Sequence, residues 1–436
     1  MDSDSVRGIG RRRLLGWGGL AAGVAAGASV AGMSAAGAQP GRIEAADDAS
    51  VSPGSFGDDS IPPGTRPGGA YDRYVAGLAA KGQFSGVVLL SHRGRTVLSS
   101  GYGMADKEKR IGNGEGIAYN LSSAGKPFGA VAMLQLAQQG KVRLSDTVGT
   151  HLTGFATDVA EQVTIHQLLS GSSGLSGPDV DPRRIFYSRE EVRDAWARCA
   201  RQSKLTAPPG TTGGAHEAPN VAIPAMIIEA VTSMTYWDYV QENVFGRCGM
   251  TGSAFCTRPQ WLTDPRIAQP YMTLADGSVV DAVRHLEDSS PNPETPGVNP
   301  GRTFIDAPGN AGFVTAPDLV RFARALGDGT LLDRPYADLF TGAKFPLTGG
   351  ENGQPAPDYP SFGAYDIPVN IIGGQWVAGR AGADPGIAAY WHVYQGTGWV
   401  GVILANIDNV PLGEMGAQEV QAITGQPASG GGVGGG

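Results

Sequence analysis

Hydrophobic positions recur at helical spacing over 71–80, where Tyr74, Val75 and Leu78 share a face. The period then changes. Residues 84–91 and 95–100 are apolar, β-branched runs on either side of His92-Arg93-Gly94, which predicts a β-hairpin. Gly101-Tyr102-Gly103 turns the chain, and 124–139 reads as a second helix stopped by Gly140. Further helices are predicted over 163–169 and 218–231. Two helix starts carry caps: Thr235-x-x-Asp238 before Tyr239, Val240 and Val244, and Thr315-x-x-Asp318 before Leu319, Val320, Phe322 and Leu326. In each, the hydroxyl can accept from free N–H groups of the first turn and the carboxylate suits the helix dipole. Gly327 stops the second.

The C-terminal part reads differently. Residues 375–378, 387–394 and 399–406 are strand-like with glycine-containing turns between them, and 412–423 reads as a closing helix. Strands near both ends with mostly helical sequence between them predict an α+β fold. Its antiparallel sheet is built from N- and C-terminal segments and flanked by helices, with a mostly helical inserted subdomain. The domain plan is a leader over 1–38, a disordered Pro/Gly/Ser/Asp linker over 39–70, one folded domain over 71–425 and a glycine-rich tail over 426–436.

Composition narrows the function classes. The 436 residues carry a formal net charge of −8, with 41% hydrophobic and 17% charged residues: enough for a large core, with no electrostatic support for a nucleic-acid partner. Arg11-Arg12-Arg13 ahead of a Gly/Ala-rich, weakly apolar stretch, then Ala36-Gly37-Ala38, resemble a twin-arginine export signal with its cleavage site. The expectation is an exported protein with no membrane span after cleavage, because no later run approaches the ~18 apolar residues a span needs. Of the three cysteines, Cys248 and Cys256 are the closest pair; one disulfide and three reduced thiols both remain open. Neither the cysteines nor the six histidines show metal-ligand spacing, so no metal or cofactor is expected. The expected partner is a small-molecule or peptide substrate.

Ser123-Ala124-Gly125-Lys126 carries the candidate chemistry. At a helix start the Ser123 hydroxyl lies at the positive end of the dipole, and i, i+3 spacing lets Lys126 reach it. A free hydroxyl is a weak nucleophile and needs such a partner, which either accepts its proton or orients it. Pro127 fits only the first turn of a helix, so the helix starts close to Ser123.

From Phe84 onward the chain resembles the serine β-lactamase and penicillin-binding-protein superfamily, which includes class C β-lactamases, D,D-peptidases and β-lactamase-fold esterases. The likeness rests on ordered blocks: 85–88, 101–106, Asn120-Leu121-Ser122-Ser123-Ala124-Gly125-Lys126-Pro127-Phe128, 163–169 with Ser173-Gly174-Leu175, Pro209-Gly210-Thr211, 227–231 and 315–319. The resemblance implies Ser123 as nucleophile and Lys126 as its partner. It places His216-Glu217-Ala218 where the family has Tyr-x-Asn, a departure that leaves two readings of His216: a replacement general acid/base, or a solvated residue of a drifted loop. Asn220 is a weaker candidate for the missing amide.

The resemblance also places Gly379-Arg380-Ala381-Gly382-Ala383 where the family has Lys-Thr-Gly or His-x-Gly. Gly382 then gives close backbone approach and the N–H groups of Ser123 and Ala383 form the oxyanion site. Arg380 either anchors an acidic substrate or stands in water at the strand end. The implied function is an exported serine hydrolase forming an acyl-enzyme with an ester or amide, an esterase or D-amino-acid-type peptidase rather than a strong β-lactamase. An acyltransferase and a catalytically degenerate ligand- or cell-wall-binding protein remain as alternatives.

Overall fold

The computed structural model describes residues 60–212, 218–293, 295–310, 312–347 and 359–426. The leader, most of the linker, the tail beyond 426 and His216 lie outside the described residues.

The chain enters through helix α1 (Ala70–Ala80) and the hairpin β1 (Gly86–His92) and β2 (Arg95–Tyr102). A short strand β3 (Ala118–Asn120) leads to the long helix α2 (Lys126–Gln138). The helices α3 (Ile165–Leu169), α4 (Arg189–Arg201), α5 (Ala218–Thr232) and α6 (Tyr236–Val240) follow. Strand β4 (Phe313–Thr315) pairs with β3 and runs into α7 (Ala316–Gly327) and α8 (Arg334–Thr341). The C-terminal part supplies β5 (Phe345–Pro346), β6 (Ser361–Gly363), β7 (Pro368–Ile372), β8 (Gln375–Asp384), β9 (Ile387–Tyr394), β10 (Trp399–Ala405) and α9 (Leu412–Thr424).

The sheet joins the two ends of the chain. Its order is β5-β6-β7-β8-β9-β10-β1-β2, every pair antiparallel, and β1 meets β10 in register from Gly86↔Ala405 to His92↔Trp399. Period-2 alternation divides the apolar side chains between the two faces. Val87, Leu89, Trp391, Val402 and Leu404 face one core with α2 and α7, while Val88, Leu90, Tyr390 and Ile403 face a second core closed by α1 and α9. The α+β architecture with a largely helical insertion matches the expectation.

Local differences have physical causes. On α1 the buried face is Tyr71, Val75 and Leu78, while Tyr74 turns partly to water: spacing i, i+4, i+7 outranks the neighbouring pair. Of the segment expected as disordered linker, residues 60–70 are described, and their 3-10 turn Pro63–Thr65 packs on α1 and α9 with Thr65 buried. Strand β8 runs six residues past the predicted end at Ala378, because pairing with β9 continues to Asp384↔Ile387. All three cysteines are free thiols. Among the described residues no helix is long and apolar enough to cross a membrane.

Candidate active site

Ser123 does not sit on the α-helix itself. It lies on a 3-10 turn, Ser122–Gly125, that runs into α2, whose first residue is Lys126 and second is Pro127. In 3-10 geometry residues i and i+3 eclipse, so serine and lysine keep the predicted one-turn relation. The Lys126 N–H donates to the Ser123 carbonyl. Lys126 is buried at 7% exposure, while Ser123 is half-buried and opens onto a cleft of about 970 Å³.

The turn is held from several sides. Ser122 adopts a left-handed φ of 48°, a conformation that a non-glycine residue keeps only when its surroundings impose it. Its N–H donates to Asn120 Oδ1 at 2.8 Å and its hydroxyl to the Ala383 carbonyl at 3.1 Å. Trp391 Nε1 donates to the Ala124 carbonyl at 2.9 Å, and Arg380 Nε to the Ser123 carbonyl at 2.7 Å. Leu121 N–H reaches Gly312 O at 3.2 Å. Behind the turn, Asn120 Nδ2 donates to both oxygens of the buried Asp306 at 2.9 and 3.1 Å, and Gly312 N–H adds a third bond at 3.0 Å.

Strand β8 runs directly beneath the turn. A side chain at Gly382 would collide with Leu121 O and Ala124 N and stand 2.8 Å from Ser123 N, so the expected close approach is present. Ala383, next along, lines the cleft beside Ser122 and Ser123. Arg380 is neither a strand-end arginine in water nor a cleft residue. It is 5% exposed, its Nε and Nη1 are bound to the carbonyls of Ser123 and Asp366, and Nη2 is buried without a hydrogen-bond partner. Asn220 is buried and accepts from Ser173 Oγ.

Sequence reasoning missed three carboxylates. Asp366, at φ 54°, and Asp384 both stand in the field of Lys126, and Asp366 also in that of Arg380. Burial raises both carboxyls above the ordinary range while these cations pull them back, and Ser122 bonds to Asp384. Burial pushes Asp306 up to about 6, against the hydrogen bonds from Asn120 and Gly312 and assisted by the Asp384 charge. Only Asp384 had a sequence signal, two residues beyond Gly382 on the same strand. One surface group, His285, Glu287 and Asp288, brings possible metal-ligand atoms within 4.8 Å of one another, but none of the three lines the cleft.

The remaining walls come from loops, from Ile387 and Ala388 of β9 and from the first turn of α9. Ser290, Asn292, Thr295 and Asn310 line the cleft, as does the segment from Asp408 to Glu414, where α9 begins. The structure thus brings together a serine at the start of a helical segment, a buried lysine one turn on and a glycine strand against the serine turn.

The sequence profile of the Beta-lactamase family matches residues 71–424. PbpX of Bacillus subtilis (strain 168), a protein carrying a penicillin-binding-protein name, is 26% identical over 259 residues. That alignment covers 59% of this chain and 59% of PbpX. The D-amino acid amidase of Ochrobactrum anthropi SV3, complexed with L-phenylalanine, superposes with a TM-score of 0.62 at 18% identity, covering 81% of this chain and 96% of the amidase. EstCE1, described as a hydrolase with promiscuous acyltransferase activity, gives 0.64 at 20% identity over 81% of this chain and 98% of its own. These two superpositions show the shared fold. The chain therefore belongs to the beta-lactamase family.

Proposed function

We propose that this protein is an exported serine hydrolase that cleaves an ester or amide through an acyl-enzyme on Ser123. The observation that carries the reading is Ser123 opening to the cleft while Lys126, one turn on, is buried beside it.

In this mechanism Lys126 acts from its neutral amine form: Ser123 Oγ attacks the substrate carbonyl and its proton passes to the Lys126 nitrogen. The ammonium so formed is stabilised by Asp366 and Asp384, which already lie in its field. The N–H groups of Ser123 and Ala383 receive the oxyanion. The carbonyl–heteroatom bond then breaks, the leaving alkoxide or amine takes a proton, and water repeats the attack on the ester to release the acid and free Ser123. His216 is the proposed proton donor to the leaving group. Without the family's tyrosine in the loop before α5, the reading favours an esterase or a D-amino-acid-type amidase over a strong β-lactamase. Arg380 is assigned to holding the turn rather than to binding substrate. The twin-arginine-like leader supports export.

A panel of short-chain esters, D- and L-amino acid amides and penicillins tests the reading. Ester or D-amide turnover that vanishes in Ser123→Ala is expected. Efficient penicillin hydrolysis, or turnover untouched in the variant, would refute it. An added alcohol or amine appearing in the product would assign transfer rather than hydrolysis.

A further inference from the structure

The charge of the cleft says what kind of substrate it takes. Its described lining residues include three carboxylates, Asp384, Asp408 and Glu414, and no lysine or arginine. The cation nearest the turn on β8, Arg380, is buried beneath it with Nε and Nη1 spent on two carbonyls. A substrate carboxylate would enter a cleft whose described lining holds carboxylates and no basic side chain, and the amine behind the turn, Lys126, already lies in the field of Asp366 and Asp384.

The three acids are not equivalent. Asp408 is committed to the backbone, accepting from the N–H groups of Gly386 and Thr273. Glu414 lies at the start of α9 and takes the Tyr74 hydroxyl at 3.4 Å. Asp384, which takes a bond from Ser122 and lies in the field of Lys126, is the residue after Ala383 on the strand that runs under Ser123, and it shares the cleft wall with Ser122 and Ser123. A cation on the acyl part of a substrate bound at Ser123 would therefore meet Asp384 first.

Resting on the acyl-enzyme reading, we propose that Asp384 is a specificity-determining residue that binds a substrate's ammonium group, so that the preferred acyl donors are esters or amides of amino acids with a free amine. The amine replaces water around a carboxylate that the cleft walls already crowd, and the pair gains strength from that enclosure. The same carboxylate repels acyl donors with an anionic group, the charge that a penicillin carries.

Three p-nitrophenyl esters of alanine, with the amine free, N-acetylated or N-succinylated, prepared in both D and L forms, test this directly. The expected order of kcat/KM is free amine above N-acetyl by at least ~10-fold and N-acetyl above N-succinyl, the gaps shrinking as NaCl rises. In Asp384→Asn the ratio of free amine to N-acetyl falls toward one. A ratio read within one protein is insensitive to partial loss of folded enzyme. Should the variant not fold, the wild-type salt dependence and a loss of the preference on acidification decide alone. Equal or faster turnover of the N-succinyl ester, or an unchanged ratio in Asp384→Asn, overturns the proposal. p-Nitrophenyl acetate, which lacks any charge, separates the two failures. If it acylates Ser123 while no amine preference exists, only the role of Asp384 falls; if it does not acylate Ser123, the acyl-enzyme reading falls and this assignment with it.

Discussion

Arg380 Nε donates to the carbonyl oxygen of Ser123 across 2.7 Å, so a strand residue and the proposed nucleophile are joined by a charge-assisted hydrogen bond beneath the cleft floor. The same guanidinium reaches Asp366 O through Nη1 at 2.9 Å, bridging the turn to the segment before β7. Lysine cannot reproduce a planar fork of this kind. Arg380→Lys is expected to lose about 1–3 kcal/mol of stability, the scale for buried acceptors, here the carbonyls of Ser123 and Asp366, left unpaired. It should slow acylation of Ser123 without changing the preference between neutral and anionic acyl donors. Chemical denaturation and the acylation rate measured on the same preparation check both parts.

Gly382→Ala probes the spacing of β8 and the serine turn. The added methyl would press on Leu121 O, Ala124 N and Ser123 N, all backbone atoms that cannot rotate away. A displacement near 1 Å is enough to cost about 100-fold in rate, so kcat/KM should drop by that order while the thermal transition stays cooperative.

How much of this was legible beforehand depends on where each interaction lies along the chain. The hairpin over 84–100 and both caps could be read because their partners are neighbours: Thr235 Oγ1 accepts from Asp238 N–H and Thr315 Oγ1 from Asp318 N–H, as the sequence suggested. The serine–lysine pair was visible for the same reason. Helix α4 went unread although Ser188 caps it, because its charged residues mask a narrow apolar stripe of Val192 and Ala195. Strand β7 went unread although Val369, Ile371 and Ile372 are β-branched, because Pro368 and Asn370 interrupt the run; β8 beyond Ala378 is Gly-Arg-Ala-Gly-Ala-Asp, with no β-branched residue, and pairing alone makes it a strand. Asp306 lies 186 residues from Asn120, and no local pattern could link them.

The burial of Asp306 behind Asn120 gives stability a recognisable pH dependence. The Asp306 carboxyl is raised to about 6, above its ordinary 3.8, so between those values the folded protein binds a proton that the unfolded chain does not. Its contribution to stability therefore becomes more favourable as pH falls through this window, and the penalty of the buried charge is fully present above it. Compared with Asp306→Asn, the wild type should gain relative stability between pH 7 and pH 4.5, as urea titrations at several pH values would show. Because Asn120 also holds Ser122 N–H, the variant should shift the pH profile of acylation as well.

A control lies on the opposite face of the sheet. Glu419 Oε1 accepts from His392 Nδ1 at 2.9 Å and from the Tyr394 hydroxyl at 3.0 Å, and Glu419 and His392 are each 1% exposed. Gly401 supplies the space for that carboxylate, since a methyl there would collide with it. Glu419→Ala leaves buried donors unpaired and should cost about 3–5 kcal/mol, measured by denaturant unfolding. Ser123 reactivity per folded molecule should persist, because Glu419 touches nothing in the turn.

Identifying the acylated residue tests the central claim most directly. The folded protein is treated with p-nitrophenyl acetate and with a fluorophosphonate, quenched in acid, digested and mapped by mass spectrometry. One equivalent of adduct on Ser123 is predicted, absent in Ser123→Ala and formed more slowly by about 100-fold or more in Lys126→Ala, the scale of losing a positioned general base. An adduct on another residue, labelling that survives Ser123→Ala, or undiminished labelling in Lys126→Ala would contradict the account.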